Sequence, residues 1–256
     1  MPPKNPFSLA GHTALITGSS RGIGRALALG FAQHGADVAV HCRSTIDQAQ
    51  KVAAEVAAVG MRSCVVQADL ADADAPRDLF DLTAAQLGLI DILVLNASLQ
   101  IRKSWDEITL DEFELQVNVN WRASMALIQL ALPGMIERGW GRILTVGSVQ
   151  QAVPHPQMLV YAGTKAAQEN MARNLAKQVA GTGVTVNNLA PGVIDTDRNK
   201  AVLSDPEYRK RVAEMIPVNF IGESEDCVGA ALLLCSDAGR YITGVDLLVD
   251  GGMALP

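Results

Sequence analysis

Aromatic side chains make up only 4 % of this 256-residue chain. A core without them has to come from Ala, Val, Leu and Ile, which suits layers of sheet and helix. No apolar run reaches the length a bilayer requires, so no membrane-spanning helix is expected. Basic charge is short as well. The 21 Lys and Arg face 27 Asp and Glu, for a formal net charge of −6 and a pI of about 5.2. That balance argues against nucleic acid as a partner. The four cysteines, Cys42, Cys64, Cys227 and Cys235, stand in no CxxC or CxxH spacing and among apolar neighbours. Buried free thiols in a reducing compartment are the expectation, and the cytoplasm the expected location. The four histidines, His12, His34, His41 and His155, are scattered, so no metal site is expected. The opening MPPKNPFSLAG lacks an apolar signal core and reads as an extended lead-in.

What the chain does have is apolar residues, at 49 %, arranged in a repeating order. Short β-branched runs such as TALIT, DVAVHC, SCVVQAD, IDILVLN, GRILTVGS, GVTVNNLAPG and VDLLVDGG alternate with Ala-rich helical stretches. One long helix is expected from about 110 to 138, and a polar, mobile stretch from 195 to about 217. Near-continuous apolar strands separated by helices predict a parallel sheet covered on both faces. Seven strands with no linker between them predict one α/β domain over 1–256, a Rossmann-type doubly wound sheet in three layers.

TGSSRGIG, residues 17–24, joins the first strand to the first long helix. Gly18 supplies a tight turn, while Gly22 and Gly24 let backbone approach a pyrophosphate and the helix approach the sheet. Three glycines at this junction predict a dinucleotide site, with Ser20, Arg21 and Ile23 inside the turn. Folds that favour NAD place a carboxylate at the end of the second strand. Here Cys42 stands in that position and Arg43 follows. Arg43 and Arg21 suit a 2′-phosphate, so NADP(H) is favoured over NAD(H).

In YAGTK, Tyr161 and Lys165 are four apart and so share a helical face. A phenol alone releases its proton near pH 10, too reluctantly for neutral chemistry, and a neighbouring ammonium favours the phenolate. Ser148 ends the fifth strand thirteen residues earlier, at the sheet edge where open α/β folds bind ligands. A serine-hydrolase reading fails, because Ser148 sits in VGSVQ and not in G-x-S-x-G.

With these motifs in order, the chain resembles the short-chain dehydrogenase/reductase family in its single-domain form. The resemblance runs from Thr13 to Gly252 through TGSSRGIG, Asp69–Leu70, LNAS, Asn120, Ser148, YAGTK, PGVIDT and VDGG. It implies that Tyr161 exchanges a proton with the substrate oxygen and that Ser148 polarises and positions that oxygen. Lys165 would tune the tyrosine and hold the nicotinamide ribose. Asn120 would keep a water in a relay to Lys165, with Asn118 as the competing candidate. Asp69 and Leu70 would flank adenine, and Asn96 and Ala97 would lie near a ribose. Pro191, Gly192, Ile194 and Thr196 would seat the carboxamide. A homotetramer is implied, pairing the 110–138 and YAGTK helices across one two-fold and the last strands across another.

One position departs from the family pattern, Ser98 standing where N-A-G is usual. A serine there implies strain if φ is positive, and otherwise a narrower pocket beside the ribose. Substrate contacts are expected from 98–105, 149–160 and a lid at about 195–220, with Gln150, His155 and Met158 as pocket residues. Arg102 and Lys103 could attract an acidic carrier. Three functions compete: reduction of a free or carrier-bound 3-oxoacyl thioester; dehydrogenation of a sugar, polyol or other small secondary alcohol; and a non-catalytic NADPH sensor.

Overall fold

The computed structural model describes residues 5–255. In chain order its elements are β1 (Thr13–Ile16), α1 (Gly22–Gln33), β2 (Asp37–Cys42), α2 (Ile46–Ala58), β3 (Ser63–Gln67), α3 (Ala75–Leu87), β4 (Ile92–Leu95) and α4 (Leu110–Val117). Then follow α5 (Ala123–Arg138), β5 (Gly141–Val146), α6 (Leu159–Gln178), β6 (Val184–Pro191), α7 (Asp197–Leu203), α8 (Pro206–Glu214), α9 (Asp226–Cys235) and β7 (Asp246–Val249). All seven strands join one parallel sheet in the order β3-β2-β1-β4-β5-β6-β7. The order reverses between β1 and β4, which opens a crevice at the strands' carboxyl ends.

Side chains alternate between the two faces of each strand. Ala14, Ile16, Val38, Val40, Ile92 and Val94 pack with Leu27, Phe31, Val52 and Leu232 of α1, α2 and α9. Leu15, Ala39, Leu93 and Ile143 pack on the other face with Leu79, Leu127, Ile128 and Ala172 of α3, α5 and α6. Two aliphatic cores around one sheet account for the scarcity of aromatics. All four cysteines are free and buried, in agreement with the sequence reading. The first four residues of the lead-in lie outside the described residues. The part that follows is anchored, since Leu9 is fully buried and its N–H donates to the His34 carbonyl.

Two expectations change. The 110–138 helix is interrupted by a π-helical turn at Asn118–Arg122, where the Ala123 N–H reaches back to the Asn118 carbonyl. Such one-turn bulges leave no trace in hydrophobic periodicity. The polar 195–217 stretch carries two short helices that its composition did not announce, α7 and α8. Asp205 caps α8 by accepting the Glu207 N–H, and Pro206 occupies its first turn. No helix among the described residues is long and apolar enough to cross a membrane.

Candidate active site

The glycine turn lies between β1 and α1 at the crevice. Gly18 and Gly22 adopt positive φ, at 65° and 55°. A Cβ on Gly24 would lie 2.4 Å from the Gly18 carbonyl oxygen and 2.5 Å from Asn96 Nδ2, so only glycine lets α1 start this close to the sheet. Arg21 precedes α1 as its N-cap residue without a side-chain cap, and the first turn holds no acidic residue. Its leading N–H groups therefore remain available to an anion. Across the crevice Thr196 faces Gly22, its Cγ2 at 3.4 Å from the position a Cβ would take there. These features fit a dinucleotide pyrophosphate.

The turn is held by residues that the sequence reading gave other duties or passed over. Asn96 Nδ2 donates to the Thr17 and Gly18 carbonyls at 2.9 and 3.0 Å. Thr17 Oγ1 accepts the N–H groups of Asn96 and Ala97. His41, 2 % exposed, accepts the Gly18 N–H on Nδ1 at 2.9 Å and meets the Ala68 carbonyl through Nε2 at 3.0 Å. Thr17 and His41 were missed. A polar residue inside an otherwise apolar strand was the available signal for His41. Ser20 is buried and shares a hydrogen bond with Thr45, and Ile23 is half-buried.

Arg43 is exposed at the end of β2. Arg21 is exposed too, its guanidinium 3.9 Å from the Asp197 carboxylate of α7. Asp69 accepts the Ala71 N–H beside buried Leu70, just past β3. Pro191 ends β6, Gly192 donates to the Val249 carbonyl, and Ile194 is buried in a bridge to Gly222. All of these lie at or past the carboxyl ends of their strands.

Ser148 follows β5 and caps a short 3-10 turn, Val149–Gln151. Its Oγ accepts the Gln150 N–H at 3.2 Å, which leaves the hydroxyl proton free to donate. Its own N–H donates to Gln151 Oε1, and Gln151 Nε2 reaches Glu169 of α6 and Asp246 of β7. Gln150 Oε1 is buried with no partner among the described residues.

Tyr161 and Lys165 lie on α6 and face inward, 5 % and 1 % exposed. The Lys165 ammonium is 5.7 Å from the Tyr161 ring centroid, as the four-residue spacing requires. Its Nζ donates to the Val146 carbonyl at 2.6 Å and to Gln168 Oε1 at 2.9 Å. Burial, aided by the Arg198 guanidinium, pulls this ammonium down to about 7. Two of its three N–H donors are thus committed to protein acceptors.

Asn120 is fully buried in the π turn, whereas Asn118 is half-buried. Its Oδ1 accepts the Leu99 N–H, and its Nδ2 donates to the Leu99 carbonyl and to Thr164 Oγ1 on α6. Both amide protons are spent bracing the loop after β4 against α6. Ser98, in that loop, is not at positive φ. Its carbonyl and Oγ each accept from Arg198 of α7 at 2.9 Å. Nearby, Arg102 approaches His155 at 3.4 Å and Gln100 approaches the Met158 sulfur at 3.6 Å. The positions expected to line a pocket thus meet one another, while Lys103 is occupied by Glu112.

A doubly wound sheet with an uncapped glycine turn and a serine, tyrosine and lysine at its carboxyl edge defines a class of nucleotide-using α/β proteins. The family model described as Enoyl-(Acyl carrier protein) reductase matches residues 18–254. L-rhamnose 1-dehydrogenase (NAD(P)(+)) from Sphingomonas sp. is 35 % identical over 96 % of this chain and 97 % of its own length. The structure of a 3-oxoacyl (acyl-carrier-protein) reductase from Agrobacterium tumefaciens C58 with NADP bound is 39 % identical, with a TM-score of 0.92 over 96 % of this chain and 95 % of that one. A gluconate 5-dehydrogenase from Burkholderia cenocepacia J2315, in complex with NADP and tartrate, is 33 % identical, with a TM-score of 0.91 over 98 % of both chains. The chain belongs to the short-chain dehydrogenase/reductase family and is an oxidoreductase.

Proposed function

We propose that the protein interconverts a ketone and a secondary alcohol with NADP(H), within one domain that includes the catalytic residues. The reading rests on one observation, the inward-facing Tyr161 with the Lys165 ammonium beneath its ring and Ser148 at the end of the neighbouring strand. The nicotinamide supplies the hydride when bound. Ser148 donates its free proton to the carbonyl oxygen and fixes its position. Tyr161 delivers the proton that completes the alcohol, and removes it in the reverse direction. Lys165 stabilises the negative charge left on the phenolate oxygen, and its remaining N–H is the donor for the ribose hydroxyls. Asn120 braces the loop after β4 against α6. As the resemblance implies, it also keeps a water in the relay to Lys165.

Gly18, Ser20, Arg21, Gly22, Ile23 and Gly24 form the dinucleotide cradle. Asp69 and Leu70 flank the adenine, with Asn96 and Ala97 beside a ribose. Pro191, Gly192, Ile194 and Thr196 seat the carboxamide. Arg43 and Arg21, with Cys42 in place of an acid, favour the 2′-phosphate of NADP. Segment 195–220 serves as the substrate lid, since α7 reaches across to Ser98 and Arg21. Free buried cysteines support a reducing compartment, the cytoplasm. Exposed Leu110, Phe113, Trp121 and Met125 along α4, the π turn and α5, Leu159 on α6 and Leu248 on β7 support pairing of copies into a tetramer, which light scattering tests.

The substrate of this reading is a 3-oxoacyl thioester, supported by the similarity to 3-oxoacyl reductases and the NADP-type arginines. A second substrate class, sugars and related polyols, is favoured by the unpaired, buried Oε1 of Gln150, two residues after Ser148, an acceptor suited to a substrate hydroxyl. The test is a panel of acetoacetyl thioesters and keto-sugars followed at the NADPH absorbance. Tyr161→Phe is expected to retain NADPH binding and to lose nearly all turnover. Unchanged turnover would remove the tyrosine from the chemistry, and no NADPH oxidation across the panel would favour a sensor.

A further inference from the structure

Lys165 is one of the largest fully buried side chains of the protein, and its charge needs partners there. One is the Val146 carbonyl, at the end of β5. The other, Gln168 Oε1, belongs to a side chain that is itself fully buried. An amide can present either its oxygen or its NH2, so something must decide which end meets the ammonium.

The decision is made one residue further on. Gln168 Nε2 lies 2.9 Å from Ser124 Oγ, and Ser124 Oγ lies 2.7 Å from the Asn120 carbonyl. A carbonyl only accepts, so the single Ser124 proton goes to Asn120. Ser124 Oγ must then accept from Gln168, which turns Nε2 toward Ser124 and Oε1 toward Lys165. The reverse orientation would set the amide oxygen against the Ser124 oxygen, which has no proton left to give, and the amide protons against the ammonium. Ser124 is 4 % exposed, so water has little access to relieve a wrong choice.

We propose that Gln168 and Ser124 are a positioning pair that holds the Lys165 side chain in its charged form and aims its remaining N–H toward Tyr161 and the crevice. The pair rests on the functional reading above for its purpose and on buried geometry for its existence. It ties the ammonium through two side chains to the backbone carbonyl of Asn120 in the π turn. The titratable and charged groups facing Lys165 are Tyr161 on its own helix and Arg198 from α7. Neither offers a carboxylate, which leaves Val146 and Gln168 as the groups that favour the charge. Burial acts in the opposite direction.

The experiment titrates Lys165 directly in the full-length protein, by proton–carbon NMR of lysine labelled with carbon-13 at the ε position. The signal is assigned by its loss in Lys165→Met. Gln168→Leu is expected to move the midpoint down by about one pH unit, a roughly tenfold loss of ammonium at fixed pH. Gln168→Glu is expected to move it up, and Ser124→Ala to move it down by less than Gln168→Leu. The pH profile of turnover with NADPH and acetoacetyl-CoA should shift in the same sense. Should Gln168→Leu fail to fold, Gln168→Glu and Ser124→Ala carry the test. A midpoint unmoved in the folded variants overturns the pair, whatever the turnover. Shifted midpoints in a protein whose Tyr161→Phe variant keeps its turnover would support the pair and overturn the functional reading instead.

Discussion

His41 Nδ1 accepts the Gly18 N–H at 2.9 Å, so the second strand holds the glycine turn through an imidazole. An accepting Nδ1 carries no proton, and the proton of the neutral ring then sits on Nε2 and donates to the Ala68 carbonyl. Burial holds His41 below the ordinary histidine value, against the opposing pull of the Ala68 carbonyl and the Asp69 charge. The folded state therefore binds fewer protons than the unfolded one. The stabilisation is present above about pH 6.5 and is lost as pH falls from there through the lower value of the folded protein. His41→Phe is expected to weaken NADP+ binding about tenfold at pH 7, because Gly18 loses its acceptor. Calorimetric titrations should show the gap between wild type and variant closing as pH falls through the lowered value of the folded protein. A gap independent of pH would mean that the ring serves only as filler.

The departure at Ser98 causes no backbone strain, because the residue is not at positive φ. Its hydroxyl is one of two acceptors for the Arg198 guanidinium, and Ser98→Gly retains the other. An exposed hydrogen bond of this kind contributes about 1 kcal/mol or less. Dinucleotide affinity in Ser98→Gly should therefore stay within about threefold of wild type. A gain of several tens-fold would reveal strain that the backbone does not show. Arg198→Ala removes both contacts and should raise KM for substrate more than it lowers dinucleotide affinity, if α7 covers the substrate.

Two glycines in named motifs should respond in opposite directions to alanine. Gly24→Ala forces a Cβ to within 2.5 Å of the Gly18 carbonyl oxygen and Asn96 Nδ2, and should destabilise the protein by about 1–3 kcal/mol while abolishing dinucleotide binding. Gly163, inside α6 and YAGTK, has nothing within 4 Å of its Cβ position. Gly163→Ala should stabilise by about 0.5–1 kcal/mol through helix propensity. Chemical denaturation of both variants checks the pair. Stabilisation by Gly24→Ala would contradict the packing described at the turn.

The order of strands and helices, the glycine turn and the Tyr161–Lys165 face were legible because each is a local pattern, repeated every two, three or four residues. What was hidden depends on distant partners. The acceptors of Lys165 include a carbonyl 19 residues away, and the partner of Ser98 lies 100 residues along the chain. Asn120 was identified, but its bracing contacts were not, since only packing reveals that Leu99 and Thr164 consume its amide. α8 did carry a local signal, Asp205 before Pro206, overlooked because its residues are mostly charged and give little apolar periodicity.

Lys165 also sets function against stability. The unfolded chain holds its proton up to the ordinary lysine range, while the folded protein releases it at about 7. Folding with the charge buried is therefore unfavourable below about pH 7, and the penalty fades as pH rises toward the unfolded value. The hydrogen bonds to Val146 and Gln168 offset part of it. Lys165→Met keeps the length and apolar bulk of the side chain without the charge. At pH 6 the variant should be more stable than wild type by a margin on the order of a few kcal/mol, and the margin should shrink steadily toward pH 10. Turnover should fall to the level of Tyr161→Phe at every pH, because the phenolate loses its counter-charge. Urea unfolding across that pH range is the measurement. A variant less stable than wild type at pH 6 would show that the ammonium's hydrogen bonds outweigh its desolvation, and the residue would then be a structural keystone as well as a catalytic one.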